Sequence, residues 1–160
     1  MGKKVSEDLR FTTKYRVVWE VPYAPGALTA VAYAGGQPVA STEVRTAGAP
    51  ARITLVPDRT TLRKDGEDLS FVTVRIEDAE GNLVPGADNL VRFAVEGAGR
   101  VAAVDNGNAA SLEPFQARER KAFSGLALLI VRSNRGVSGA IRVRATSEGL
   151  AAAETVLKAE

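Results

Sequence analysis

A regular alternation of apolar and polar residues between Asp65 and Glu96 constrains the fold of this chain more than any other feature. In its first half, Val72, Val74 and Ile76 fall on one face of an extended chain, as a half-buried strand requires. A turn follows at residues 79–82, where glycine and asparagine accept positive φ at little cost. The alternation then resumes with Val91, Phe93 and Val95. Because two strands alone are only marginally stable in water, we expect this hairpin-like pair to lie in the middle of a larger sheet.

The composition allows a substantial hydrophobic core and excludes several classes of site. The chain has 160 residues, of which 45% are hydrophobic and 6% aromatic, so the core must consist mainly of Val, Leu, Ile and Ala. No apolar run approaches the ~20 residues of a membrane span, and we expect no membrane as a partner. The sequence contains neither His nor Cys, which excludes the usual serine and cysteine triads and zinc sites built on those residues.

Carboxylates are the remaining candidates for acid–base chemistry, and they occupy positions typical of turns. The aspartates at predicted strand ends or turns are Asp58, Asp65, Asp68, Asp78, Asp88 and Asp105. An aspartate at such a position normally accepts hydrogen bonds from neighbouring backbone amides. The sequence thus predicts no catalytic residue and no cofactor for this chain.

One acidic cluster has the ligand type of a calcium site. Asp65, Glu67 and Asp68 lie in one predicted loop, and Asp58 precedes it. Oxygen ligands on such a loop suit Ca²⁺, but the spacing is not that of an EF-hand. We interpret the cluster as turn chemistry and predict no metal site.

Basic residues form two small groups within a chain of formal net charge +2. Arg118, Arg120 and Lys121 are close in sequence, and Arg142 and Arg144 share a strand face. We interpret both groups as solvated surface, with a phosphate-binding stripe as the alternative. Because no aromatic residues interleave with these cations, we do not expect nucleic acid as a partner.

Residues 1–49 predict about half of an immunoglobulin-like sandwich. Turn signals separate the predicted strands Tyr15–Val21, Leu28–Tyr33 and Val39–Arg45. Trp19 shares its face with Val17 and Val21, which predicts a core position. A complete sandwich needs about seven strands, so this face must be covered by the following domain, by a second copy in a homodimer, or by strands missing from a truncated unit. We favour the truncated unit.

Residues 50–160 carry the strand signals of a complete immunoglobulin-like β-sandwich. The short segment Thr60–Arg63 predicts a crossing to the second sheet. The irregular stretch Asn108–Lys121 contains Phe115, which we expect to lie under the loop as an anchor. Ala122–Arg132 is apolar on both faces, which is typical of a central strand covered on both sides or packed against a neighbouring domain. We therefore predict an all-β chain, in which a partial, truncated immunoglobulin-like sheet precedes a complete antiparallel β-sandwich.

Carbohydrate binding would require exposed aromatic side chains. Tyr23, in a proline-rich turn, and Tyr33, near a predicted glycine turn, are the only two candidates, and they are weak ones. A carbohydrate-binding module is therefore one functional hypothesis for the chain.

Several runs together resemble one family. They are TKYRVVWEVPYAPGALTAVAY, EVRTAGAPARITL, DGEDLSFVTVRIEDAEGNLVPGADNLVRFAVEGAG, VDNG and KAFSGLALLIVRS. In this order they resemble the C-terminal region of bacterial family 2 glycoside hydrolases of the β-galactosidase type, from about Lys14 to Leu150. The segment Asp65 to Val95 taken alone is also similar to immunoglobulin-like repeats of invasin-type adhesins, which remain the alternative.

The resemblance implies an accessory module rather than an enzyme. In such hydrolases the catalytic glutamates lie in a central TIM barrel, so the family's catalytic residues map to no position here, and the expected partner is that barrel. This chain departs from the family at Asn108 and Leu112, which weakens any polar or metal-binding role for that loop. For a parent enzyme of this type we expect a periplasmic or secreted location, whereas the chain itself indicates no compartment.

Overall fold

The structure, a computed structural model, describes residues Glu20–Glu160. The chain divides into two compact units, Met1–Arg45 and Thr46–Glu160. Every regular element in the described part is a β-strand, so residues 20–160 contain no helix that could cross a membrane. The predicted strand Tyr15–Val21 and the core position of Trp19 fall outside the described residues, except that residues 20 and 21 are described and are not in a strand.

The described part of the first unit is a β-hairpin. β1 (Ala27–Ala34) pairs antiparallel with β2 (Gln37–Arg45). Gly35 and Gly36 connect them with φ values of 58° and 78°. Positive φ at both turn positions matches the right-handed twist of the flanking strands, which is why two glycines suit this turn. Both strands predicted for this region are confirmed, each slightly longer than expected.

The second unit consists of two sheets. The four-stranded sheet has the order β3-β5-β9-β7, with β3 (Arg52–Pro57), β5 (Leu69–Glu77), β7 (Gly99–Asp105) and β9 (Leu126–Ser133). The five-stranded sheet has the order β4-β11-β10-β6-β8, with β4 (Thr61–Leu62), β6 (Leu90–Gly97), β8 (Glu119–Lys121), β10 (Gly139–Thr146) and β11 (Ala153–Ala159).

The strand orders of both sheets are those of an immunoglobulin-like sandwich. The four-stranded sheet follows the A-B-E-D order, and β11-β10-β6 follows the G-F-C order of the opposite sheet. β4 follows β3 in sequence but pairs in parallel with β11 in the other sheet, so the predicted crossing is confirmed. The all-β, immunoglobulin-like antiparallel sandwich predicted from the sequence is likewise confirmed.

The expected pairing of the two strands within residues 65–96 is wrong. β5 pairs with β3 and β9, whereas β6 pairs with β10 and β8 in the opposite sheet. Residues 78–89 pass from one sheet to the other and bury Val84 and Ala87 on the way. The inward faces of two stacked sheets have the same period of two, so alternation identifies a strand's buried face without identifying its neighbour.

The core lies between the inward faces of the two sheets. Its fully buried aliphatic side chains include Val72, Val74, Ile76 and Leu129 from one sheet, and Val91, Ile141 and Leu157 from the other. Each such side chain contributes about 1.5–3 kcal/mol relative to exposure. Burial of Leu157 also explains why Ala153–Ala159, which follows two further alanines, forms a strand, since packing outweighs the helix propensity of this segment.

Gly97 lies at the end of β6, close to the backbone of β10. Its φ is 91°, and a Cβ at this position would lie 2.2 Å from the carbonyl oxygen of Ala140. Glycine is required here by both the backbone conformation and the space.

Candidate functional site

The acidic cluster that resembled a calcium site serves the backbone of its own turn. Asp65 Oδ1 accepts hydrogen bonds from the amides of Glu67 and Asp68, each at 2.8 Å. Asp58 Oδ1 accepts one from the amide of Phe71 at 2.8 Å. The two amide donors hold the pKa of Asp65 below its ordinary value. Within residues 20–160, no three acidic, His or Cys side chains are grouped so as to hold a metal ion.

Asp78 connects three segments at the end of β5. Its Oδ1 accepts the amide of Asn82 at 2.8 Å, and its Oδ2 accepts the side-chain amide of Asn82 at 2.9 Å and the backbone amide of Gly48 at 2.8 Å. The hydrogen bonds from Asn82 and Gly48 lower the pKa of Asp78 to about 2. This buried carboxylate therefore attaches the chain entering β3 to the turn that follows β5.

Glu77 is a buried carboxylate enclosed by donors. It accepts hydrogen bonds from Thr54 Oγ1 at 2.8 Å, Arg75 Nε at 2.9 Å and Arg52 Nε at 3.4 Å. Burial raises its pKa, but the bonds from Arg75, Thr54 and Arg52 together outweigh burial, so the pKa lies below its ordinary value. A carboxylate held ionised in this way is a poor proton donor at neutral pH.

Arg120 is buried, which corrects its assignment to a solvated basic surface. Its side chain is 1% exposed. Its Nη1 donates to the carbonyl oxygen of Glu113 at 2.8 Å, and its Nη2 lies 3.3 Å from Asn106 Oδ1 and 3.5 Å from Asp105 Oδ1. The guanidinium carbon lies 5.2 Å from the centroid of the Phe115 ring, within cation–π distance.

Arg120, rather than Phe115, anchors the irregular stretch 108–121. Phe115 is exposed, so the expectation that it lies under the loop is wrong. The loop folds around the guanidinium: the carbonyl oxygen of Glu113, inside the loop, and the carboxamide oxygen of Asn106, just before it, accept from Nη1 and Nη2, whereas the buried Nε has no hydrogen-bond acceptor. Asn106 Nδ2 adds a bond to the carbonyl oxygen of Lys121 at 2.9 Å. No sequence pattern distinguishes the buried Arg120 from its basic neighbours Arg118 and Lys121, which are exposed.

A shallow depression lies beside β7. It has a volume of about 270 Å³ and is lined by Val101, Ala102, Gln116, Ala117 and Arg118. No carboxylate lines it, so it lacks the paired acids that glycoside hydrolysis requires.

The outer faces of the two sheets differ in character. On the four-stranded sheet, six apolar side chains are half-buried or exposed and form what we call the outer patch: Val56, Phe71, Ala103, Leu126, Leu128 and Ile130. The register places Phe71 beside Ile130 and Ile130 beside Ala103, so these side chains are contiguous. The outer face of the five-stranded sheet instead carries Arg92, Arg142, Arg144, Glu154 and Lys158, all exposed.

The outer patch resolves the two-faced apolar pattern of β9. Ala127, Leu129 and Val131 face the core, whereas Leu126, Leu128 and Ile130 face outward. The sequence showed that β9 is apolar on both faces, but it did not show which of the two faces enters the core.

The two tyrosines predicted to contact carbohydrate lie on the surface of the first unit. Tyr23 is 80% exposed in the segment before β1, and Tyr33 is 59% exposed within β1. Their role in sugar contact stays a prediction.

Comparison with known proteins identifies the family. The family model described as glycoside hydrolase family 2 C-terminal domain 5 matches residues 53–156, and one described as a domain of unknown function (DUF4982) matches residues 1–40. The β-galactosidase BoGH2A of Bacteroides ovatus is 49% identical over 159 residues, which cover 99% of this chain and 19% of that protein.

Solved structures of family 2 hydrolases share this fold. A family 2 member from Bacteroides cellulosilyticus superposes with a TM-score of 0.83 at 40% identity, covering 90% of this chain and 18% of that one. A β-glycosidase from Bacteroides vulgatus superposes with a TM-score of 0.82 at 26% identity, covering 88% of this chain and 18% of that one. The chain thus spans about a fifth of the length of the relatives it matches. These matches confirm the resemblance and favour it over the adhesin alternative.

The matched region is the C-terminal, non-catalytic part of these hydrolases, which is separate from their catalytic domain. With a family model matching residues 53–156 and a fold shared with family 2 structures, this chain belongs to the glycoside hydrolase family 2 C-terminal domain 5 family.

Proposed function

We propose that this chain is the structural support module of a β-galactosidase-type glycoside hydrolase, and that it packs against the catalytic barrel of that enzyme. The observation that carries the proposal is the match to BoGH2A over 99% of the chain. The chain would act by rigidity: two sheets packed over one aliphatic core present a fixed surface to the barrel.

The polar chemistry of the sandwich supports a structural role. Glu77, Asp78 and Arg120 are buried, and each is engaged by hydrogen bonds from or to its own domain. The hydrogen bonds lower the pKa of Glu77 and of Asp78. Groups fixed in this way stabilise the fold and are unsuited to proton transfer.

The test compares the parent enzyme with and without this module. We expect the 160-residue chain alone to hydrolyse no p-nitrophenyl β-galactoside. We expect its removal from the enzyme to lower the melting temperature of the remaining barrel by at least about 3 °C. Sugar turnover by the chain alone, or a barrel whose melting temperature and activity are unchanged without the module, would refute the proposal.

A second role, contact with carbohydrate, rests on the exposure of Tyr23 and Tyr33. An exposed aromatic ring offers the flat apolar face on which a sugar can stack. Calorimetry with galactosides at millimolar concentration should then detect binding that is lost in Tyr23→Ala. Absence of binding to the unmodified chain would dismiss this role.

We also propose that the first unit supports self-association. Every residue of β1 and β2 is exposed, and a two-stranded sheet is only marginally stable by itself. Light scattering of the purified chain should give the mass of a dimer; a monomer at all concentrations would contradict this.

A further inference from the structure

We propose that the outer patch of the four-stranded sheet is the surface on which the catalytic domain of the same enzyme docks, and that an acidic group of that domain faces Arg100 and Arg132. This inference rests on the proposed support function and assigns it a face of the sandwich. The outer patch is the six-residue set defined above, on the sheet face that points away from the core.

The apolar character of the patch is the first observation. Phe71 is 39% exposed, and its neighbours Leu128 and Ile130 are only half-buried. The opposite outer face carries mostly charged side chains, among which Val156 is a single exposed valine, so the six apolar side chains of the outer patch have no counterpart there. Contiguous apolar side chains on one face of a sheet mark an interaction surface rather than ordinary solvent exposure.

The arginines at one end of the patch are the second observation. Arg100 of β7 and Arg132 of β9 are directly opposite each other in the register. Like charges in directly opposite positions destabilise a sheet. Arg100 Nη1 donates to the carbonyl oxygen of Ser133 and to Asn134 Oδ1, but within residues 20–160 neither guanidinium lies within ion-pair distance of a carboxylate. The buried Arg132 Nε has no hydrogen-bond acceptor.

The arginines on the outer face of the four-stranded sheet indicate what kind of partner can bind there. Arg52 and Arg75 lie toward the other end of the same face, where they share Glu77. A second copy of the chain docked face to face would therefore bring arginines against arginines, and juxtaposed like charges oppose association. A surface that is apolar at its centre and acidic at its rim would instead satisfy both observations. In the proposed enzyme, the catalytic domain is the partner available to supply it.

Thiol protection can test this because the chain contains no cysteine. Phe71→Cys places one thiol in the patch, and Val156→Cys places a matched thiol on the opposite sheet, where Val156 is 59% exposed. Each variant is alkylated with N-ethylmaleimide, both in the 160-residue chain and in the enzyme that contains it, and the modified peptide is quantified by mass spectrometry.

We expect the Phe71→Cys thiol to react at least about tenfold more slowly in the enzyme than in the chain alone, as docking protects it. The Val156→Cys thiol should react equally fast in both. Adding Arg100→Glu should restore the reactivity of the Phe71→Cys thiol in the enzyme. In the chain alone the same change should raise the melting temperature, because it converts a like-charge pair into an ion pair.

Several results would overturn the proposal. Equal reactivity of the Phe71→Cys thiol in chain and enzyme would show that the patch is not covered. Protection in the chain alone that grows with its concentration would assign the patch to a second copy, and protection independent of concentration would assign it to residues 1–45. If removing the whole module destabilises the barrel while the patch stays reactive, the docking face is wrong and the support function stands. If removal has no effect, the support function itself fails.

Discussion

Arg120 provides the sharpest test of how this domain holds its long loop. We consider Arg120→Met, which keeps an unbranched side chain in the same space and removes only the guanidinium. The change removes the Arg120 donors to the carbonyl oxygen of Glu113 at 2.8 Å and to Asn106 Oδ1 at 3.3 Å, and Asn106 Oδ1 keeps only the amide of Asn108 at 3.0 Å. It also removes the contact with the Phe115 ring.

The magnitude follows from these contacts. Hydrogen bonds that involve a charged donor contribute about 1.5–3 kcal/mol each, and a cation–π contact about 0.5–2 kcal/mol. The acceptors lie in a surface loop and regain some water, and methionine recovers part of the packing. We therefore expect Arg120→Met to lower the free energy of unfolding by about 3 kcal/mol, within the range for loss of one member of a buried ionic cluster.

The assay is urea unfolding followed by circular dichroism, with Arg118→Met as the matched control. Arg118 lies two residues away in the same loop and is exposed, so its change should cost less than about 0.5 kcal/mol. With a slope near 1.5 kcal/mol per molar urea, the Arg120 variant should unfold at a midpoint lower by about 2 M. In the unmodified chain the Lys121 amide donates to Glu113 Oε1 at 3.1 Å, and hydrogen exchange should show that this amide exchanges faster in the Arg120 variant. Equal midpoints for the two variants would refute the anchoring role of Arg120.

Three further predictions concern the core, a strand contact and pH. Leu129→Ala should lower the free energy of unfolding by about 2–5 kcal/mol because Leu129 is fully buried. Leu128 faces outward, so Leu128→Ala should lower the free energy of unfolding clearly less. Equal melting temperatures for the two variants would contradict the faces assigned to β9. Gly97→Ala should lower the free energy of unfolding by about 3 kcal/mol or more, because the new Cβ would collide with the paired strand. Gly136 also has positive φ but has open space around it, so Gly136→Ala should lower the free energy of unfolding by about 1 kcal/mol in the same urea assay. Because the pKa of Asp78 is about 2 in the folded chain and 3.8 as its ordinary value, its stabilising effect is complete above pH 4 and is lost as pH falls toward 2. Asp78→Asn should make the melting temperature depend less on pH between about pH 2 and pH 4. An unchanged pH dependence would contradict the stabilising role of the Asp78 carboxylate.

Much of the strand layout was predictable from the sequence because it depends on local periodicity. The period of two located β5, β6 and β10, and the short segment after Pro57 marked the crossing of β4 to the other sheet. The absence of His and Cys excluded the commonest catalytic and zinc chemistries before any fold was known. The aspartates in turns behaved as backbone acceptors because their side chains are short enough to reach amides two or three residues away.

The candidate surfaces depended on contacts that are distant in sequence. The outer patch exists because β5, β9 and β7 are neighbours, which brings Phe71, Ile130 and Ala103 into one row. The opposition of Arg100 and Arg132 arises from the same pairing. No local pattern predicts the register between strands that are distant in sequence.

Local sequence patterns are sufficient to establish that this chain is built from strands, where most of them lie, and which face of an alternating strand is apolar. Contacts made in the folded chain establish which strands are neighbours, which of the two apolar faces of β9 enters the core, and that Arg120 is buried rather than solvated. The physical reason is the sequence distance over which each property acts. Alternation is a property of adjacent residues, whereas sheet pairing and the burial of a cation depend on partners that only the folded chain brings together.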